Sequence, residues 1–269
     1  MADLPPLSEQ GHPFSIDLGD AELHGEARGD APRLLLLHGF GGDRHGWDAV
    51  WERTAASLPA IRSDLRGFGQ SRMVRQAPFN HADDVLAILD HLAIEQADIA
   101  GMSLGGGVAL NFALDHPERV RRLILVSPLI MAWDWTPHWR ALWRQMRQKA
   151  LDGDMDGARA LWAKHPLFAT VPDGPPRDRL DAEIARFPGT QWIKDWQQDL
   201  MPDVERLPGL APPTLLLTGA RDMEDFRVMA AIIEASAPQV TRIDLADCGH
   251  MLTLEAPDLL ADTISDFLR

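Results

Sequence analysis

Residues 101–105 read Gly-Met-Ser-Leu-Gly, directly after the apolar, strand-like run Ala97-Asp98-Ile99-Ala100. A helical pattern follows at once, with Val108, Leu110, Phe112, Ala113 and Leu114 on its apolar positions. A strand that turns straight into a helix leaves little room beside the turn, which accounts for glycine at both flanks of Ser103. Gly-x-Ser-x-Gly in this strand–helix context is the signature of a nucleophile elbow. It lifts the Ser103 hydroxyl clear of the sheet and aims the Leu104 amide at the point where an oxyanion would form.

A serine hydroxyl needs a base to take its proton, and the base needs an acid to orient it. Pro213 to Gly219 reads as a buried strand ending in a turn, and Asp222 lies three residues beyond it. Val240 to Leu245 reads as a further strand, followed by Asp247-Cys248-Gly249-His250. Asp225 rivals Asp222 as the acid, but its position falls inside a helix that begins near Met223, so Asp222 is selected. No carboxylate follows the strand Leu123 to Ser127, where Pro128-Leu129-Ile130 comes next. The order Ser103, Asp222, His250 differs from that of the chymotrypsin and subtilisin designs.

The second oxyanion donor is sought in an earlier strand-to-helix loop. Leu34 to Leu37 is the most apolar run of the N-terminal third, and His38-Gly39-Phe40-Gly41-Gly42 follows it. Glycines there let backbone amides approach a developing negative charge, and the Phe40 amide is the donor expected beside Leu104. His38 is read as ordering the loop through hydrogen bonds and His45 as a helix-entry residue. Cys248, the only cysteine, is read as a small buried packing residue and leaves no internal disulfide.

With these residues in hand, the chain resembles the α/β-hydrolase superfamily, in its serine-dependent, lid-bearing branch. The matching stretches are His38 to Gly42, Asp64 to Ser71, Gly101 to Gly106, Gly219 to Asp222, and Gly249 to Pro257. The resemblance implies Ser103 as nucleophile, His250 as base, Asp222 as its orienter, and the Phe40 and Leu104 amides as oxyanion hole. It implies structural roles for Asp64 and Arg66 beneath the site.

The alternation of strand and helix patterns argues for an α/β fold with a mostly parallel sheet flanked by helices. Phe14 to Leu18 and Glu22 to Glu26 read as an antiparallel pair joined at Gly19-Asp20. Helical patterns cover roughly Trp47 to Leu58, Ala82 to Leu92, Leu104 to His116, Met223 to Ala235 and Pro257 to Leu268. The last is expected to begin with Glu255 and Asp258. The core is expected to comprise residues 1–128 and 208–269. A net charge of −14 disfavours nucleic acid and anionic membrane surfaces as partners. The start, Met1 to Pro6, lacks a signal-peptide pattern and no run reaches transmembrane length, so a cytoplasmic location is expected. Oligomeric state is not legible.

Between residues 129 and 207 the alternation stops, and a helical cap insertion, or lid, is expected, hinged near Pro128 and around Pro202 to Pro213. Seven of the nine tryptophans fall here, and Trp135, Trp139 and Trp143 recur every four residues, with Leu142 and Met146 extending the face. Trp192 and Trp196 repeat the spacing. Singly, such rings read as helix packing; collectively they suggest an aromatic ceiling over Ser103, with Met251 also facing substrate. Asp152, Asp154, Asp156 and Gly157 imitate the start of a calcium loop. Its twelfth position is Ala163 and not glutamate, so a polar turn is expected. No histidine or cysteine pattern calls for a metal, and no cofactor is required.

Serine at the elbow argues against haloalkane dehalogenase and epoxide hydrolase relatives, and the chain contains no tyrosine. Carbon–carbon hydrolases usually carry asparagine before the serine and tryptophan after the histidine, where this chain has Met102 and Met251. Glu183 alone does not make a proline iminopeptidase. The expected function is hydrolysis of a small hydrophobic or aromatic carboxylic ester through an acyl-enzyme. The alternatives kept open are a lactonase, a carbon–carbon bond hydrolase and a ligand sensor that retains the triad.

Overall fold

A computed structural model of the protein describes residues 11–54, 58–198 and 201–269. Met1 to Pro6, residues 55–57 of the expected first helix, and residues 199–200 of the expected lid lie outside that range. The N-terminal half contains β1 (His12–Asp17), β2 (Ala21–Arg28), β3 (Leu34–Leu37), α1 (Asp48–Thr54), β4 (Ala60–Ser63), β5 (Arg72–Met73) and α2 (His81–His91). Next come β6 (Ala97–Met102), α3 (Leu104–Asp115) and β7 (Val120–Val126). Helices α4 (Pro137–Leu151), α5 (Met155–Trp162), α6 (Pro175–Arg186) and α7 (Thr190–Ile193) follow without an intervening strand. The chain closes with β8 (Thr214–Gly219), α8 (Glu224–Ser236), β9 (Val240–Leu245), α9 (Leu252–Glu255) and α10 (Pro257–Leu268).

The sheet order is β1-β2-β4-β3-β6-β7-β8-β9, with β5 pairing β2. The strands from β4 to β9 along this path pair in parallel, while β1, β2 and β5 pair antiparallel. Parallel strands buried on both faces need apolar side chains in both directions. β3 meets that demand: Leu35 and Leu37 enter the core on one face, and Leu34 and Leu36 the core on the other. The first core takes in α2, α3 and α8, and the second α1 and α10.

β4 escaped the sequence reading because Arg62 interrupts its short apolar run. The guanidinium of Arg62 is nevertheless buried, donating to Glu26 at 2.7 Å and to Asp48, and lying over the Trp51 ring at 4.5 Å. Glu255 does not open the last helix as expected. It ends the short α9, and Pro257 starts α10 afresh as its first-turn proline.

The helical segment between β7 and β8 differs from expectation in its tryptophan pattern. α4 begins at Pro137 behind the cap residue Thr136, whose hydroxyl accepts the Trp139 amide, so Trp135 precedes the helix. Trp135 still stacks on Trp139, centroids 4.1 Å apart and 14° from parallel. Likewise α7 stops at Ile193, and Trp196 lies past it. Of the calcium-like residues, Asp152 and Asp154 lie in the turn between α4 and α5, and Asp156 and Gly157 in the first turn of α5. There Asp154 caps α5 by accepting the Gly157 amide at 2.8 Å and pairs with Lys149. Among the described residues no helix is long and apolar enough to cross a membrane.

Candidate active site

Ser103 sits between β6 and α3 with φ of 52° and ψ of −113°, a conformation that costs an L residue about 1–3 kcal/mol. The backbone around it over-determines that geometry. Its amide donates to Val126 at 2.9 Å, and its carbonyl accepts the Gly107 and Leu129 amides at 2.9 and 3.1 Å. The flanking glycines are required by contact: a Cβ at Gly105 would collide with the carbonyls of Leu37 and His38, and one at Gly101 with the backbone of Gly105.

The Ser103 hydroxyl lies 2.9 Å from His250 Nε2, and His250 Nδ1 lies 2.9 Å from Asp222 Oδ2. All three side chains are buried. Asp222 comes from the loop after β8 and His250 from the loop after β9, so neighbouring parallel strands bring the two loops together at their carboxyl ends. The other Asp222 oxygen accepts the Met223 amide at 2.7 Å, which fixes the carboxylate's orientation. Asp225 is engaged elsewhere: it accepts the Trp133 indole N–H at 3.1 Å and the Thr136 hydroxyl at 2.7 Å.

The loop after β3 lies against Ser103, since a Cβ at Gly39 would stand 3.4 Å from that of Ser103. His38 orders this loop. Its Nε2 accepts the Leu65 amide at 2.9 Å, so Nδ1 carries the proton and donates to the Gly39 carbonyl at 2.8 Å. Burial pushes the His38 pKa below the ordinary histidine value. Leu104 is the first residue of α3, where helix geometry leaves the amide without a carbonyl four residues back. His45 lies in the tight turn entering α1 and reaches Asp48 at 3.2 Å. Asp64 accepts the Arg44 and Gln70 amides, each at 2.8 Å, and Arg66 donates to Asp84 at 3.0 Å.

A cavity of about 510 Å³ opens over Ser103, lined mainly by apolar side chains. Trp135, Trp139, Trp143 and Met251 all line it. Trp192 does not; it is fully buried against Phe187, centroids 4.9 Å apart. Several lining residues escaped the sequence reading. Phe226 packs its ring 4.2 Å from the His250 imidazole and also meets Trp135 and Trp139, so aromatic contact runs unbroken from the ceiling to the base. Trp162 contributes as well, and the Phe40 side chain wedges between Trp143 and Phe187 at 5.1 and 5.2 Å. No local signal marks Phe226, since Asp222 lies in the loop before α8 and the step between the two is not a helical one.

Electrostatics near the base are quiet. His165 packs edge-on to Trp139, and its pKa is lowered to about 3 by burial first and then by His250 and His138. It therefore stays neutral and adds no positive charge beside an imidazolium. Burial, Glu255 and Asp247 push the Cys248 thiol up, in keeping with a packing role. Among the described residues no group of three or more His, Cys, Asp or Glu side chains could hold a metal ion.

The family model for the alpha/beta hydrolase fold matches residues 32–257. Over 255 residues the chain is 29% identical to a 2-hydroxymuconate semialdehyde hydrolase of Pseudomonas sp. (strain CF600), covering 87% of this chain and 86% of that relative. In structure it is similar to a hydrolase from Pseudomonas aeruginosa PA01, with a TM-score of 0.80 and 26% identity over 95% of this chain and 98% of the other. It is also similar to a thermophilic esterase from Thermogutta terrifontis, with a TM-score of 0.81 and 25% identity over 97% of this chain and 98% of the other.

Proposed function

The chain belongs to the alpha/beta-hydrolase family, and from that premise we propose that it hydrolyses carboxylic esters of small hydrophobic or aromatic compounds, open or cyclic, through an acyl-enzyme on Ser103. The observation that carries this reading is the hydrogen-bonded chain Ser103–His250–Asp222, with both separations at 2.9 Å.

His250 Nε2 takes the Ser103 proton as Oγ attacks the ester carbonyl, and Asp222 stabilises the imidazolium that results. The carbonyl oxygen becomes an oxyanion held by the Phe40 and Leu104 amides. When the tetrahedral intermediate collapses, the carbon–alkoxide bond breaks and His250 delivers its proton to the departing alcohol. Water then enters, gives its proton to His250 and attacks the acyl carbon. Collapse of that second intermediate releases the carboxylic acid and returns the proton to Ser103. The residues 129–207 insertion serves in this reading as the lid, and its tryptophans as the wall of the acyl pocket.

The similarity to a 2-hydroxymuconate semialdehyde hydrolase supports a second reading, hydrolysis of a carbon–carbon bond. Met102 and Met251 stand against it on the residues themselves. A panel of p-nitrophenyl esters and simple lactones, with Ser103→Ala as blank, tests the first reading, and 2-hydroxymuconate semialdehyde tests the second. Ester or lactone turnover that vanishes in Ser103→Ala is expected. Turnover of the semialdehyde alone would replace the first reading with the second.

A further inference from the structure

Two carboxyl groups that line the cavity are nine-tenths buried, Asp43 and Glu183. Asp43 is paired with Arg186, whereas no hydrogen bond or ion pair engages Glu183, on α6, among the described residues. Its position is tightly constrained. One carboxyl oxygen would lie 3.2 Å from a Cβ at Gly42, and the other 3.5 Å from a Cβ at Gly46. Glycine at position 42 leaves the room the carboxyl occupies beside the loop that follows β3, while at position 46 a Cβ would only touch it. Trp47 lines the same end of the cavity, but its indole N–H is sealed within the protein, which leaves Glu183 as the group a ligand can reach there. Leaving a buried carboxyl without a partner costs about 1–3 kcal/mol, and the other polar side chains of the lining, Arg140, Arg144, Asp195 and Gln197 among them, do not bond it. Polar groups of this kind at one end of an apolar pocket orient a ligand.

The protonation state decides which ligand. Burial, followed by the charges of Asp43 and Asp48, raises the Glu183 pKa to about 8, against the opposing pull of Arg186 and Arg179 on its own helix. Arg186 is itself paired with Asp43 at 3.0 Å. On the helices packed beside α6, Arg159 of α5 is bound to the Phe187 carbonyl and Asp156, and Glu255 of α9 to the Gly249 and Met251 amides. An un-ionised acid donates one hydrogen bond. A cation in its place would require a buried ion pair, with the desolvation that entails.

We propose that the Glu183 end of the cavity is a polar subsite in which the carboxylic acid donates a hydrogen bond to a carbonyl oxygen, ketone or amide, carried on the chain of the substrate. The proposal deepens the ester-hydrolase reading and rests on it for the identity of the reacting group. It specifies a chain that is apolar along the tryptophans and interrupted by one neutral acceptor.

Binding to the Ser103→Ala protein tests the subsite without requiring turnover. Ethyl octanoate, its keto-substituted isomers along the chain and its ω-amino counterpart are titrated calorimetrically at about pH 6.5 and about pH 9.5, below and above the Glu183 pKa. At the lower pH one keto isomer should bind about fivefold to tenfold more tightly than the parent ester. That preference should fall at the higher pH, persist at both in Ser103→Ala/Glu183→Gln, whose amide still donates, and vanish in Ser103→Ala/Glu183→Leu. No keto preference, a preference that survives Glu183→Leu, or tighter binding of the ammonium ester would overturn the proposal. Wild-type turnover of p-nitrophenyl octanoate, run in parallel, reads the ester-hydrolase assignment separately.

Discussion

Glu255 holds His250 by the backbone on both sides. Its carboxylate accepts the Gly249 amide at 2.6 Å and the Met251 amide at 2.9 Å, while the imidazole is bound to Ser103 and Asp222. It also accepts the Thr170 hydroxyl at 3.0 Å, so a residue from between β7 and β8 braces the same loop. Glu255→Ala leaves two amides unsatisfied, at about 1–3 kcal/mol each. We expect kcat/KM to fall about tenfold to hundredfold through misplacement of the base. Thermal unfolding should drop by roughly 5–15 °C. A lowered Tm with unchanged kcat/KM would confine Glu255 to stability.

Ser103 occupies a backbone conformation that glycine adopts with little strain. Ser103→Gly is therefore expected to abolish ester turnover while unfolding at the same temperature as wild type or up to about 4 °C higher. Differential scanning calorimetry decides it. A clear loss of stability would mean that the hydroxyl's bond to His250 outweighs the relieved strain.

The tryptophans divide into two groups by position. Trp192→Ala removes a fully buried ring that lies behind the cavity wall, against Phe40 and Trp162, and should cost about 3–5 kcal/mol with little change in acyl-chain preference. Trp143→Ala removes a half-buried ring of the cavity wall and should shift the preference toward longer or bulkier acyl groups. Urea melts together with kcat/KM across an ester series measure both, and identical profiles for the two variants would refute the division.

Glu183 makes folding stability depend on pH. Its pKa is about 8 in the folded protein, against an ordinary value of 4.5, so the folded state binds more protons than the unfolded chain between those values. Stability from this group is complete below about pH 4.5 and lost as the pH rises through about 8, by at most roughly a few kcal/mol. Glu183→Gln should thus match wild type in urea melts near pH 4.5 and exceed it near pH 9. A stability difference that does not change with pH would show that Glu183 is ionised in the folded protein.

Much of the molecule was legible because the relevant signals are local. The apolar run at Leu34 to Leu37, the strand-like stretch Val240 to Leu245 with its β-branched residues, and the glycine-flanked serine each report on neighbours within a few residues. The first antiparallel pair, joined at Gly19-Asp20, was legible for the same reason. Where a long-range partner decides, the reading failed. Arg62 looks incompatible with a buried strand until Glu26, Asp48 and Trp51 are brought around it. Trp135 has the spacing of a helical stripe but precedes the helix, because Pro137 and the Thr136 cap set where α4 begins.

The sequence by itself determined the α/β alternation, the strained turn at Ser103 and the order in which serine, aspartate and histidine follow the strands. Those are properties of backbone sterics and hydrophobic periodicity, which act over a few residues. Tertiary structure alone decided that Phe226 shields His250, that Thr170 braces Glu255, and that Glu183 faces the cavity without a partner. None of these has a local signature. A side chain's desolvation and hydrogen-bond partners are set by which distant segments the sheet and its helices bring against it.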